Sequence, residues 1–125
     1  MAPYQYLSGM ALFFWGVAST VCAAGNAERG LALYQSKCVA CHSIDYNGVG
    51  PAHKGLFNRK AGSQTDYVYS PAVKGSTIIW NEQTLDKWLS NPEKLIPGQK
   101  MGFSVPSAKE RADLITYLKI TTEQK

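Results

Sequence analysis

The stretch Lys37-Cys38-Val39-Ala40-Cys41-His42-Ser43-Ile44 (KCVACHSI, residues 37–44) decides the reading of this chain. Two cysteines three apart on a helical turn project to nearly the same side. Both thiols can then add to the two vinyl groups of one porphyrin, and the histidine that follows places an imidazole beneath the ring. C-x-x-C-H is accordingly the attachment signature for c-type haem, and one haem c joined through Cys38 and Cys41, with His42 as proximal iron ligand, is expected. Other uses of the pair fit less well. A thioredoxin-like dithiol wants a βαβ context, and none is visible upstream.

Upstream of the motif, residues 1–24 contain no charged side chain. Leu7 to Val17 (LSGMALFFWGV) is apolar enough for the core of a secretory signal, and Val21-Cys22-Ala23-Ala24-Gly25 supplies the small residues wanted at −3 and −1 for an exit site after Ala23 or Ala24. The chain lacks the Lys or Arg that usually opens such a signal. An uncleaved anchor is the competing reading, since Leu7 to Ala24 is 18 residues and a spanning helix needs about 20. Gly9, Gly16, Ser19 and Thr20 dilute the stretch, which favours cleavage and a single domain over residues 25–125. Removal of the segment takes Cys22 away and leaves Cys38 and Cys41 as the only cysteines. In an oxidising compartment an unprotected pair would form a disulfide, and a domain this small needs added stabilisation. Covalent haem answers both. A zinc site would have only His53 as a further ligand.

Thirteen Lys and Arg against nine Asp and Glu leave a formal charge of +4. The basic residues are scattered, without a run or a helical stripe, so no nucleic-acid role is expected. An acidic protein partner suits the charge better.

Downstream and upstream of the motif the pattern is helical. Asn26 can cap a helix to about Lys37, with Ala27, Gly30, Leu31 and Tyr34 near the 3.6 period. Residues 43–76 are rich in Gly, Pro, Asn and Ser, a loop length that a compact domain tolerates when a large ligand organises it. Asn81 caps a further helix with Leu85, Trp88 and Leu89 on one face, ending at Asn91-Pro92. Residues 94–103 (KLIPGQKMGF) read as a turn. Ser107 and Glu110 form an S-x-x-E capping box before Leu114, Tyr117 and Leu118. No strand pattern and no internal repeat emerge, so the fold class is all-α, with four to five helices around one haem.

The sixth iron ligand follows by elimination. Met1 and Met10 leave with the N-terminal segment, and Met101 remains, in a loop bounded by Pro and Gly. A lone methionine often only fills a gap in a core. Beside C-x-x-C-H, ligation is the better reading, because the alternative, His53, sits just past Gly-Val-Gly-Pro and reads as a surface residue. His/Met ligation raises the reduction potential and closes both axial positions, which leaves outer-sphere electron transfer. The rival is a haem subunit, sensor or peroxidase-like protein with an open distal site.

These residues together carry a resemblance. From Gly25 to about Thr122 the chain resembles the class I cytochromes c of the mitochondrial and bacterial small soluble type, through KCVACHSI, VGPAHKGLFNRKAG, YSPAVKGSTIIWNEQTLDKWLSNPEKLIPGQKMGF and DLITYLK. The resemblance implies that Gly30 and Tyr34 pack against Leu114 and Tyr117 where the terminal helices cross. It implies that the carbonyl of Pro51 accepts the proton of His42, and that Arg59, Tyr69 and Trp80 donate to the haem propionates. Departures are Trp88 for a tyrosine, Val73 for an asparagine, Gln99 for a threonine, and three residues fewer after the motif than in mitochondrial members. Lys37, Lys94 and Lys100 match lysines around the exposed haem edge, whereas Glu93 replaces another. The implied function is a soluble, monomeric, non-enzymatic one-electron carrier, cycling Fe(II)/Fe(III). Its partners would be a membrane oxidase, a reaction centre, a bc-type complex or a periplasmic dehydrogenase. The apolar leader places it in a bacterial periplasm, with a respiratory chain as one expected setting.

Overall fold

A computed structural model describes residues 24–123 together with Gly16. The apolar leader with its exit site, and Cys22, lie outside the described residues. Five helices follow one another: α1 (Ala27–Lys37), α2 (Pro71–Lys74), α3 (Glu82–Ser90), α4 (Pro92–Leu95) and α5 (Ala108–Glu123). Among the described residues there is no strand, only an isolated antiparallel bridge between Lys60 and Ile79.

Local chemistry sets the helix ends. Asn26 Oδ1 accepts the backbone N–H of Arg29 at 2.8 Å and starts α1. Asn81 and Thr84 cap α3 reciprocally, each side chain accepting the other's backbone N–H at 2.8 Å. Pro92 ends α3 as expected, yet it also starts α4, because proline's fixed φ suits the first helical position and Asn91 Oδ1 caps Lys94 N at 3.0 Å. The turn expected from residue 94 thus begins inside a one-turn helix. Only half of the box at α5 forms: Ser107 Oγ accepts from Glu110 N at 3.3 Å. The Glu110 carboxylate instead lies 3.9 Å from Lys37 Nζ on α1.

The terminal helices form the frame. Helix α1 crosses α5 so closely that a Cβ on Gly30 would lie 2.1 Å from the carbonyl oxygen of Asp113 and 2.6 Å from Tyr117 Cβ. The missing side chain is what permits the crossing. Tyr34, one turn on, is 3% exposed, and its ring meets that of Tyr117 at 5.3 Å between centroids. Leu114, at 1%, and Leu118, at 5%, complete the seam. At its rim Asp113 is buried yet charged, which is tolerable because three donors reach it. These are Asn26 N at 2.6 Å, Arg29 Nε at 2.8 Å and Arg29 Nη2 at 3.1 Å.

Leu56, Ala61, Trp80, Leu85, Ile96 and Val105 extend this core away from the helix pair. Arg111 of α5 ties in the rest, donating to Asp86 of α3 at 2.7 Å and to the carbonyls of Val105 and Pro106 at 2.9 and 2.8 Å.

Two outcomes follow from the helix crossing. Gly30→Ala pushes a methyl group into backbone that cannot swing aside, and loses about 1–3 kcal/mol, read as a lower denaturant midpoint. The contacts of Asp113, its bonds to Arg29 first, hold its carboxyl below the usual carboxylate range. Its contribution is therefore complete above the unfolded-state pKa of about 4 and is lost as pH falls through the lower folded value. Asp113→Asn flattens the stability-against-pH curve in that acid window.

Candidate functional site

The C-terminal end of α1 delivers the motif. Cys38 is the C-cap of α1, its N–H donating to the Tyr34 carbonyl at 2.9 Å. The chain then closes a tight turn, with Cys41 N and His42 N both donating to the Cys38 carbonyl, at 3.1 and 2.8 Å. Cys38 is half-buried against the core, Cys41 is exposed, and the two sulfurs are not bonded to each other. Burial pushes the Cys38 thiol up to about 11. A dithiol exchange site depends on a depressed thiol pKa, so the environment opposes that reading.

His42 is held with one ring nitrogen already engaged. Its Nδ1 lies 2.8 Å from the Pro51 carbonyl oxygen, an acceptor, so Nδ1 carries the proton and Nε2 keeps its lone pair for a metal. Burial lowers the pKa of His42, partly opposed by the bond to Pro51, which favours the neutral form that ligation requires. Gly50 is buried directly against the ring: a Cβ there would lie 2.2 Å from Cε1 and 2.6 Å from each nitrogen. Only glycine fits.

His53 corrects the expectation from sequence. Far from being a surface residue, it is half-buried, with its ring stacked on that of His42 at 4.3 Å between centroids and 21° between planes. Its Nδ1 is 2.9 Å from the Tyr34 hydroxyl. Burial, then the neighbouring His42 and Arg59, lower its pKa to about 3, so it stays neutral at physiological pH. The physical reason is the short connection after the motif, which folds residue 53 back under the imidazole, with His53 N donating to Ser43 O and Lys54 N to Ile44 O.

Arg59, Tyr69 and Trp80 come from separate stretches and are linked through backbone. Residues 58–61 pair with 78–80: Trp80 N donates to Arg59 O at 2.9 Å, and Asn58 N to Trp80 O at 2.8 Å. Trp80 is buried and meets Trp88 edge-on at 5.4 Å. The Arg59 guanidinium donates to the carbonyls of Lys54 and Ala52, at 2.7 and 3.2 Å. Tyr69 donates to Gln64 Oε1 at 3.3 Å, and Gln64 Nε2 donates to that same Ala52 carbonyl at 3.3 Å. Burial lowers the Arg59 pKa and raises that of Tyr69. Gln64 was invisible as a site residue in sequence, because an isolated glutamine in a loop carries no motif.

Asn47 staples the loops that carry these groups. It accepts from Ala52 N at 2.8 Å and donates to Asp66 O at 3.1 Å, while Tyr67 donates to Val49 O at 2.6 Å.

Met101 is half-buried in the extended segment between α4 and α5, lining an open groove with Pro92, Gln99 and Phe103. Glu93 fastens that segment, accepting from Gly98 N at 2.9 Å and from Gln99 Nε2 at 3.1 Å. The residue that breaks the lysine pattern therefore has a structural task. Gln99 Oε1 is buried and has no protein partner among the described residues.

A family model described as cytochrome c matches residues 27–122. The chain belongs to the cytochrome c family. It is 44% identical over 105 residues to cytochrome c of Gibberella zeae, covering 81% of this chain and 99% of the relative. The cytochrome c of Euglena viridis is 42% identical over 98 residues, covering 76% of this chain and 96% of the relative. Among solved structures, cytochrome cH from Methylobacterium extorquens superposes with a TM-score of 0.73 at 40% identity, over 77% of this chain and 99% of that one. The chain thus has the all-α cytochrome c fold and is a mono-haem electron carrier with haem c attached through two cysteines.

The residues present fit a cytochrome c haem. Two unpaired sulfurs flank one helical turn, an imidazole with its Nδ1 already engaged follows them, and Gly50 clears the space against it.

Because Glu93 supplies two hydrogen bonds to the strap bearing Met101, Glu93→Ala loosens that strap by about 1–2 kcal/mol. In mild denaturant the Gly98 amide of this variant, which has lost its acceptor on Glu93, exchanges its hydrogen faster than in the parent. The far-ultraviolet helix signal moves little.

Proposed function

We propose that this cytochrome c binds its haem through thioether bonds at Cys38 and Cys41, with His42 and Met101 as the axial ligands. The observation that carries the reading is the 2.8 Å bond between His42 Nδ1 and the Pro51 carbonyl within the C-x-x-C-H turn. It leaves Nε2 as the ligating nitrogen and raises its basicity. Met101 is the only methionine of residues 25–125, and its strap is anchored by Glu93 and runs between two core residues, Ile96 and Val105.

Bound haem supplies a reversible one-electron Fe(II)/Fe(III) couple. The protein's work is to hold both ligands still, so that little rearranges when the charge changes. Burial of Trp80, the convergence of Arg59 and Gln64 on the Ala52 carbonyl and the bond from Tyr69 to Gln64 support Arg59, Tyr69 and Trp80 as the donors facing the propionates, which need partners when withdrawn from water. With both axial positions filled, the protein catalyses no bond-making reaction by itself.

The reading extends to place and partners. No helix of the described residues is long and apolar enough to cross a membrane. The uncharged leader with its small-residue exit supports cleavage, export and a periplasmic carrier, exchanging electrons with a membrane oxidase, a reaction centre, a bc-type complex or a dehydrogenase as a monomer. Lys94 and Lys100 are exposed and available to an acidic partner, whereas Lys37 is drawn toward Glu110.

An optical spectrum of ferric holoprotein tests the ligand set. The parent shows low-spin iron with a sulfur-to-iron charge-transfer band, and Met101→Ala loses that band while retaining haem after acid-acetone extraction. A high-spin parent spectrum would favour the open-site rival, a haem sensor or peroxidase-like protein.

A further inference from the structure

His53 is the only histidine of this chain outside the C-x-x-C-H, and it is held from two directions. One side of the ring lies against the face of His42, centroids 4.3 Å apart and planes 21° apart. At its edge Nδ1 meets the Tyr34 hydroxyl at 2.9 Å, the two rings standing edge to face at 5.7 Å. Tyr34 cannot drift. It is 3% exposed and packed on Tyr117 in the seam between α1 and α5.

Space-filling alone does not account for this pair. A leucine at 53 and a phenylalanine at 34 would occupy similar volume without placing two polar groups beneath a core, where each costs free energy unless partnered. What the polar pair adds is direction. A hydrogen bond fixes a ring in its own plane, and an aliphatic side chain would leave that plane free to tilt.

His42 has need of such a constraint. The ring is held at Cγ by its own Cβ and at the adjacent Nδ1 by Pro51, two points on one edge that leave it free to rock about Cβ–Cγ within the tolerance of the hydrogen bond. Gly50 packs against the same ring with no room for a side chain. A flat, near-parallel neighbour anchored in the helix seam removes the remaining freedom.

We infer that His53 is a positioning residue for the axial imidazole: anchored by the Tyr34 hydroxyl, its ring sets the plane of His42 and ties that plane to the α1/α5 crossing. The inference rests on the reading of His42 as an iron ligand. It adds a control on the ligand's rotation to the known control on its proton.

The test uses ferric holoprotein. In low-spin ferric haem the orientation of the imidazole plane sets which iron d orbital holds the unpaired electron. The haem-methyl proton shifts and the EPR g anisotropy therefore read that plane. His53→Leu changes both patterns and displaces the midpoint potential. His53→Phe, which keeps a flat ring, returns them toward the parent. Tyr34→Phe, which removes one oxygen, moves them in the direction of His53→Leu by a smaller amount. Parent-like shifts and g values in His53→Leu overturn the proposal, even where its thermal stability has fallen. Should His53→Leu fail to assemble with haem, Tyr34→Phe decides alone: altered shifts support the proposal, and unaltered ones overturn it. A parent without the sulfur-to-iron band would remove Met101 as a ligand, a separate result, because each variant is compared with a parent that carries the same group opposite His42.

Discussion

A single imidazole has to face one way. His42 follows Cys41 without a spacer, so the turn that closes on the Cys38 carbonyl places both sulfurs and the ring at once, and any freedom left in that turn would be freedom of the ring. The Pro51 carbonyl removes part of it by taking Nδ1, and Gly50 does so by packing backbone against the ring where a Cβ has no room. Much of the surrounding structure can be understood as support for these contacts. The helix pair holds the turn from above, and the loop of residues 43–70 is laced back beneath it.

The lacing explains why a long irregular segment stays ordered. Asn47 links Ala52 to Asp66, Tyr67 reaches Val49, and Arg59 with Gln64 converges on the Ala52 carbonyl. Each is a side chain bonded to backbone, the kind of bond that lets a loop satisfy its polar groups without a strand partner. The short pairing of residues 58–61 with 78–80 then carries Trp80 into the core and Arg59 beside it. A second strap, from Ile96 to Val105, bears Met101. It is pinned by Glu93 at one end and by Val105 N donating to the Leu89 carbonyl at 2.7 Å at the other.

Departures from the family pattern become intelligible at the level of single contacts. Glu93, which stands where the family pattern has a lysine, supplies the strap with two acceptors. Trp88 in place of a tyrosine meets Trp80 edge-on. Gln99, in place of a threonine, uses its amide nitrogen on Glu93 and leaves its oxygen buried without a partner among the described residues. We have no structural account of Val73 in place of an asparagine.

What the sequence determined by itself was whatever depends on neighbours along the chain. The C-x-x-C-H spacing, the caps at Asn26 and Asn81 and the proline ending α3 are local, because a helical turn and a capping bond reach only three or four residues. The helical class and the place of the cysteines followed from them, and the wider pattern of residues carried the resemblance to the cytochromes c. Tertiary structure decided what depends on residues distant in sequence. Glu110 could be recognised as a capping residue but not as the neighbour of Lys37, since that choice needs α1 beside α5. His53 could not be told from a surface histidine, because its two partners, Tyr34 and His42, come from a helix and a turn that meet it only after the loop folds back. A stacked ring and a buried hydrogen bond are properties of an enclosure, and no spacing of residues along a chain encodes an enclosure directly.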